Sequence, residues 1–401
     1  MRHIDDYRKI VGKEAITEIR DKAANLADKH ILHVNSTYAG GGVAEILNSL
    51  VPLMNDVGVS AGWRILHGNS DFFTITKKFH NGLQGEKINL SNIKKRLYLQ
   101  ANEDFSTYTH IDHDCLVIHD PQPLPLIRFY EKNQPWVWRC HVDISHPHDD
   151  VWEFLKSFIL DYDLVIVSNK DYVRGDLPVR QKIIYPVINP LSLKNIPLSD
   201  PVVAKYLKKF SIPTDKPLIT QISRFDKWKD PEGVVKIFKL VKRRVDCRLV
   251  LCGSVARDDP ESSMIYERVK RRANRLVETG DLILITSENN ILVNALQRYS
   301  AVVVQKSIRE GFGLTVTEAL WKGTPVVASD VGGISLQIGK NNGFLHDPFD
   351  TEGFAETIVQ ILKNPEMAYE AAENGRETVR KNFLITRLLA DYLDILTELN
   401  C

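Results

Sequence analysis

The stretch Ala301-Val302-Val303-Val304-Gln305-Lys306-Ser307-Ile308-Arg309-Glu310-Gly311-Phe312-Gly313-Leu314-Thr315-Val316-Thr317-Glu318-Ala319 contains one whole structural unit. Ala301–Gln305 is a nearly unbroken apolar, β-branched run, which is how a strand buried on both faces reads. A polar loop with two glycines follows, and the spacing predicts a helix from near Leu314. Strand, loop and helix in that order form half of a parallel crossover, the building block of a sheet covered by helices on both sides.

The same rhythm extends in both directions. Upstream, strands are expected at Ile31–Asn35, Leu116–His119, Trp136–Cys140 and Leu164–Ser168. A second series is expected at Leu218–Ile222, Arg248–Cys252, Leu282–Ile285, Ala301–Gln305 and Pro325–Ala328. Helical patterns fill the gaps, among them Glu232–Arg243 and Pro260–Glu278. The fold class that follows is α/β, with two doubly wound, Rossmann-like parallel-sheet domains. Between the two series stand Pro186, Pro190, Pro197, Pro201, Pro213 and Pro217, six of the 18 prolines in the chain. Proline continues neither a helix nor a sheet interior, so a boundary is expected here, with domains at 1–190 and 191–380. Thr351–Cys401 reads as consecutive helices with caps near Asp350 and Asn364. Ligands of open parallel sheets bind beyond the carboxyl ends of the strands, so a cleft between two such domains is the expected site.

Composition narrows the function classes. The 401 residues carry a formal net charge of +1, against the basic surplus of a general nucleic-acid binder. The runs Lys94-Lys95-Arg96, Lys242-Arg243-Arg244 and Lys270-Arg271-Arg272 read as solvated helix faces. No apolar run reaches the length of a membrane span, and Met1–Lys13 is too polar for a secretory signal. The five cysteines, Cys115, Cys140, Cys247, Cys252 and Cys401, fit no disulfide framework, so buried free thiols and a cytoplasmic location are expected. No membrane or nucleic-acid partner is expected.

Three loops carry candidate chemistry. Ala39-Gly40-Gly41-Gly42-Val43 follows a strand and opens a helix, where glycine lets backbone amides approach a phosphate at the helix start. A tight turn needing glycine for itself would read the same way. Arg224-Phe225-Asp226-Lys227-Trp228-Lys229-Asp230-Pro231 places two cations five positions apart beyond a strand end. Arg224 offers a planar fork and Lys229 a point charge, a pair suited to a diphosphate that gains negative charge as a bond to it breaks. Asp226 and Asp230 are the alternative, local partners. In the opening stretch, Glu310 sits before Gly311-Phe312-Gly313 in the loop, and Thr315-x-x-Glu318 has the spacing of a capping box.

Taken together, Glu310…Glu318 resembles the E-x7-E signature of the retaining glycosyltransferases that include sucrose and glycogen synthases. Arg224…Lys229 resembles their donor-phosphate cations, and Gly41-Gly42-Val43 their first glycine loop. The resemblance implies the GT-B fold, with the acceptor domain first, the nucleotide-sugar donor domain second, and a final helix, 381–401, crossing back to the first domain. It implies catalytic roles for Glu310, His141, Arg224 and Lys229. Glu310 would bind hydroxyls of the transferred sugar, helped by the amides of Gly311, Phe312 and Gly313, with Leu314 and Thr315 at the helix start. Glu318 would accept from the ribose, and backbone near Thr286–Asn290 would read the base. His141 lies in Arg139-Cys140-His141-Val142-Asp143; a histidine at a strand end also serves structure alone. Asp120, Gln122 and Asp143 are assigned to the acceptor; an Asp-Pro turn explains Asp120 equally.

His119-Asp120-Pro121-Gln122-Pro123 with the two later motifs resembles the trehalose-forming branch of that family. The implied reaction joins glucose from a nucleoside-diphosphate glucose, UDP- or ADP-linked, to free glucose. Retaining trehalose phosphorylase, a nucleotide-sugar 2-epimerase and a non-catalytic nucleotide-sugar sensor remain alternatives. The sequence departs from the family at Ser335-Leu336, where Pro-Glu is usual, and at Asn342-Gly343-Phe344-Leu345. No cofactor is expected. A metal site at His141, Asp143, His146 and His148 is not expected, because cations already serve the leaving phosphate. A homodimer is the assembly expected.

Overall fold

The computed structural model describes residues 2–38, 41–253 and 260–401. The chain divides into two compact units: Met1–Val187 with Leu384–Cys401, and Ile188–Phe383. The first change of unit therefore falls at Val187, within the proline-rich stretch.

Each unit is built on one six-stranded sheet whose strand pairs are all parallel. The first comprises β1 (His30–Asn35), β2 (Ser60–Ile65), β3 (Cys115–His119), β4 (Trp136–Arg139), β5 (Leu164–Val167) and β6 (Arg180–Ile183). The second comprises β7 (Leu218–Ile222), β8 (Arg248–Cys252), β9 (Leu282–Ile285), β10 (Val302–Gln305), β11 (Val326–Ser329) and β12 (Phe344–His346). The orders are β2-β1-β3-β4-β5-β6 and β12-β11-β10-β7-β8-β9. In each sheet the winding direction reverses once, between β1 and β3 and between β7 and β10. At such a reversal the loops leaving two adjacent strands diverge and open a crevice beyond their carboxyl ends.

The strands expected from apolar runs are all present, within one residue at either end. Three others, β2, β6 and β12, had no such signal. All three are sheet edges and their residues are exposed or half-buried. An edge strand needs no apolar residue on its outer side and tolerates Arg180 or Lys182, so its run is broken by polar residues. Central strands show the opposite. In the second unit Leu249 and Leu251 pack in one core while Val250 and Cys252 pack in the other. Helices Pro231–Lys242 and Thr351–Lys363 cover the first face, Asp200–Lys209 and Asn290–Tyr299 the second. In the first unit Leu32, Val34, Leu116, Ile118, Trp136 and Trp138 share one core. By strand alternation His33, His119 and Arg139 face the other side. The final helix, Ile385–Glu398, belongs to this unit and sets the Tyr392 ring 5.8 Å from that of His33.

Two helical expectations need correction. Pro260–Glu278 is not one helix: it ends at Arg272 and restarts at Asn274, with Ala273 at φ −112°, ψ 17° between. Ala273 is buried in the core there, a tertiary demand with no local signal. Asp350 caps its helix by accepting from the Gly353 amide at 2.8 Å, but Asn364 makes no side-chain cap bond. Pro365 starts that helix and has no N–H to satisfy. All five cysteines are buried and free, as the spacing predicts, and burial pushes the Cys252 thiol up to about 12.

The second crevice depends on a close backbone approach. Gly253 directly follows β8, and a Cβ there would lie 1.7 Å from the Ser223 carbonyl oxygen, where the β7 loop begins. Gly253→Ala should therefore displace that loop. The expected cost is at least the 1–3 kcal/mol of a roughly overpacked core site, because the atom struck is backbone. Denaturant unfolding of the variant checks this; unchanged stability would show that the loop has room to move.

Candidate active site

In the second unit the two crevice loops are fastened to each other. The Ile308 amide donates to the Trp228 carbonyl at 2.7 Å, and Gln221 at the end of β7 donates to the Lys229 carbonyl at 3.0 Å. Asp226 accepts from the Trp228 amide at 2.8 Å, which folds Lys227–Lys229 into a single helical turn. Asp230, in the left-handed region at φ 41°, caps the next helix by accepting from Gly233 at 2.9 Å. Its other carboxylate oxygen pairs with the buried Lys306. Both aspartates thus have local work, but neither takes Lys229.

Lys229 instead reaches across the crevice and pairs with Glu310. Ser307 donates to the same carboxylate oxygen of Glu310 at 3.1 Å. The glutamate is 8% exposed, so its carboxylate is nearly buried, with the Lys229 ammonium and the Ser307 hydroxyl among its partners. Arg224 does not join them. Its guanidinium is 47% exposed and lies 3.8 Å from Asp226. The expected phosphate pair is therefore split: one member is locked against the glutamate, the other points into solvent at the loop's start.

Gly311, Phe312 and Gly313 form a tight turn into helix Leu314–Trp321. Gly313 is its N-cap, at φ 87°, with no side-chain cap bond. The capping box suggested by Thr315-x-x-Glu318 does not form. The helix starts at Leu314, which puts Thr315 and Glu318 inside it, and Thr315 donates to Gln305 at 3.2 Å. Glu318 is 2% exposed, accepts from Gln297 at 3.2 Å and lies 3.5 Å from Lys194. A glutamate so placed does not serve the helix start. Phe312 turns inward, its ring 5.6 Å from Phe383.

Gln337 holds this turn and was not singled out by the sequence. Its Nε2 donates to the carbonyls of Phe312 at 2.6 Å and Gly333 at 3.2 Å, and its Oε1 accepts from Thr317 at 2.6 Å. Gly333 is forced by contact, since a Cβ would lie 2.5 Å from the Phe312 Cα. Lys306 and Lys194 were missed as well. Lysine is so common on surfaces that only burial distinguishes these two.

In the first unit the loops at the β1/β3 reversal carry the remaining candidates. Ala39 and Gly40 lie outside the described residues. Gly41 is the N-cap of helix Gly42–Asp56, at an extended φ of 179° that any residue adopts. Among the described residues nothing lies within 4 Å of where its Cβ would be. The turn itself therefore does not require glycine at 41. Asp120 does occupy a strained position, φ 63°. It fastens β3 to β4: its amide donates to the Arg139 carbonyl at 2.9 Å and its carboxylate accepts from the His141 amide at 2.8 Å. Gln122 accepts through its carbonyl from Asn102 at 3.1 Å. Asp143 accepts from the amide and hydroxyl of Ser145 at 2.9 and 2.6 Å, so part of its capacity goes into a turn.

Three histidines form a chain on the face opposite the large core. His33 Nδ1 lies 3.0 Å from His119 Nε2, and His119 Nδ1 lies 3.1 Å from His141 Nε2. Burial holds all three below the usual histidine range, His33 at about 3, and the buried Arg139 guanidinium pushes His119 and His141 the same way. Arg139 donates to the carbonyls of Val167 and Ile184 at 3.0 and 2.7 Å.

Burial pushes the Asp120 carboxyl up to about 6, against the lowering effects of the His141 amide and Arg139. The folded chain therefore holds a proton there that the unfolded chain, at its ordinary 3.8, releases first. Between those values stability falls as pH rises, by roughly 3 kcal/mol in total for a shift of about two units. Asp120→Asn should lack that fall. Measured against the parent, the variant should gain stability from pH 4 to pH 7; a difference that stays flat would show the carboxyl to be ionised throughout.

Residues 33–174 match the family model described as trehalose synthase, N-terminal domain, and residues 203–378 that of glycosyl transferases group 1. The chain is 45% identical to the trehalose synthases of Thermococcus litoralis and Pyrococcus furiosus, over 99% of this chain and 97% of theirs. A trehalose phosphorylase of Grifola frondosa is 28% identical over 94% of this chain but only 58% of its own. Among solved structures, a trehalose-6-phosphate synthase, OtsA, superposes with a TM-score of 0.75 at 14% identity, covering 92% of this chain and 99% of that one. Sucrose-phosphate synthase from Thermosynechococcus elongatus gives 0.68 at 18% identity, over 92% and 98%. The two parallel sheets are thus the GT-B fold, and with these relatives over nearly its whole length the chain belongs to the trehalose synthase family of glycosyltransferases.

Proposed function

We propose that the protein transfers glucose, with retention at the anomeric carbon, from a nucleoside-diphosphate glucose (UDP- or ADP-linked) to free glucose, forming trehalose. The observation that carries this reading is the meeting of Lys229 and Glu310 at the β7/β10 reversal. In a bound complex the sugar hydroxyls hydrogen-bond to Glu310, and the ammonium of Lys229 is then shared with the diphosphate. Arg224, half-exposed at the head of the same loop, closes on the phosphates from the other side. Glu318, steadied by Gln297 and Lys194, accepts from the ribose hydroxyls. The glycine-started helix at Leu314 presents amides of the first turn to ligand oxygens. Of the first unit's candidates, His141 and the Gly41-Gly42 turn are assigned to the donor, and Asp120, Gln122 and Asp143 to the acceptor.

The bond from the anomeric carbon to the phosphate oxygen breaks as the acceptor oxygen bonds to the same face. The acceptor's proton passes to the departing phosphate. Charge collects on that phosphate, and Lys229 and Arg224 hold it, so the leaving group needs no metal ion. No nucleic acid, membrane or organic cofactor enters the reaction.

Incubation with UDP- or ADP-glucose and glucose should release the nucleoside diphosphate and give a non-reducing disaccharide. Trehalose and phosphate yielding glucose 1-phosphate would select a phosphorylase instead; nucleotide-sugar isomerisation without acceptor would select an epimerase. Lys229→Met should lower turnover more than tenfold, because its charge acts on the transition state. Cooperative unfolding of that variant, measured alongside, separates lost chemistry from lost fold; undiminished turnover would remove Lys229 from the mechanism.

A further inference from the structure

The three-histidine chain has two ends of different kinds. At the inner end, His33 is fully buried and its Nε2 has no partner among the described residues. At the outer end, His141 is half-buried, its Nε2 is taken by His119, and its Nδ1 has no partner among the described residues. The groups packed around the chain are the Arg139 guanidinium from β4, the Asp120 carboxylate, which accepts from the His141 amide, and the Tyr392 ring of the final helix. None of them donates to or accepts from His33 Nε2.

A neutral imidazole carries one hydrogen, so its two nitrogens are one donor and one acceptor. Two links between three neutral rings then allow only two states for the whole chain. In one, each Nδ1–H donates to the next Nε2, running from His33 to His141. The inner end is then a bare ring nitrogen and the outer end an N–H. In the other, each Nε2–H donates to the preceding Nδ1, and the inner end becomes a buried N–H with nothing to accept it. Orphaned buried donors are rarer in folded proteins than under-satisfied acceptors, so the first state is favoured. A free histidine side chain prefers its hydrogen on Nε2, so the chain selects the less common form of His141.

We propose that His33 and His119 are positioning residues that fix the tautomer of His141, so that it presents an Nδ1–H donor to a substrate oxygen. This rests on the reading that His141 faces the sugar donor. It deepens that reading: the ring recognises an acceptor atom, a hydroxyl or phosphate oxygen, and does not serve as a base at Nδ1. The resulting ladder links the interior of the first unit, from β1 through β3 to the residues after β4, to one polar atom at the carboxyl end of its sheet.

The full-length protein labelled with ¹⁵N-histidine tests this by two-bond nitrogen–proton correlation, which separates the two ring forms. His141→Ala identifies the His141 signals among the 12 histidines. The expected result is a neutral His141 with hydrogen on Nδ1, and the same form at His119. His119→Leu should convert His141 to a mixture of forms and lower turnover with UDP- or ADP-glucose and glucose by up to about tenfold, the scale of one lost hydrogen bond. The drop should fall on kcat or kcat/KM while unfolding stays cooperative. His119→Asn keeps a donor at the Nδ1 position and should restore both the single form and most of the rate. Hydrogen on Nε2 of His141 in the parent protein would overturn the proposal, as would an unchanged His141 tautomer in His119→Leu. An expected tautomer with full activity in His141→Ala would instead overturn the role of His141 at the sugar, leaving the ring chain intact.

Discussion

The pairing of Lys229 with Glu310 is the contact on which the second crevice depends. Each charge is costly to bury alone, and each is tolerated because the other, with Ser307, satisfies it. The pair also ties the loop after β7 to the loop after β10, the two loops that a change of winding direction would otherwise let diverge. A ligand that brings its own anion to Lys229 and its own hydroxyls to Glu310 replaces the pair's interactions and strands neither charge. This makes the resting pair a store of preorganised polarity, where an apolar crevice would have to order its dipoles at the moment of reaction.

Around that pair the polar groups are satisfied in layers. Asp230 caps a helix and neutralises Lys306, Asp226 folds the short turn that aims Lys229, and Gln337 gathers the carbonyls of the glycine turn. These residues hold the loops that carry the candidate site, and most lie where a polar side chain is admitted only with partners. The same logic operates in the first unit with different parts. There a buried arginine and a ladder of neutral imidazoles occupy the carboxyl ends of β1, β3 and β4, and the final helix closes over them with Tyr392. Both sheets therefore change character along their length, apolar through the middle and polar at the end where ligands of such folds are bound.

Much of this was legible in the amino-acid sequence. Central strands such as β7 and β8 face apolar layers on both sides, so their identity is written in runs of mostly apolar consecutive residues. Glu310 stood out because Gly-Phe-Gly follows it, and Asp350 because its helix needs a cap. These signals are local: a strand run, a turn and a helix start each fit within a few residues. The edge strands β2, β6 and β12 escaped because a strand with one open side has no need of an unbroken apolar run.

What the tertiary structure alone decided is which local pieces meet. Glu318 has the spacing of a cap and is in fact a buried carboxylate held by Gln297 and Lys194, residues 21 and 124 positions away, because the helix begins at Leu314 with Gly313 as its N-cap. Arg224 and Lys229 look like a pair in the sequence, yet one pairs across 81 positions with Glu310 while the other stays near Asp226. Gln337, Lys306 and the three-ring ladder of His33, His119 and His141 carry no pattern, since their partners come from strands and turns distant in the chain. Periodicity and turn chemistry act between neighbours and so can be read along the sequence. Strand order and burial are settled by the whole folded unit, and they determine which charges and hydrogen-bonding groups face one another.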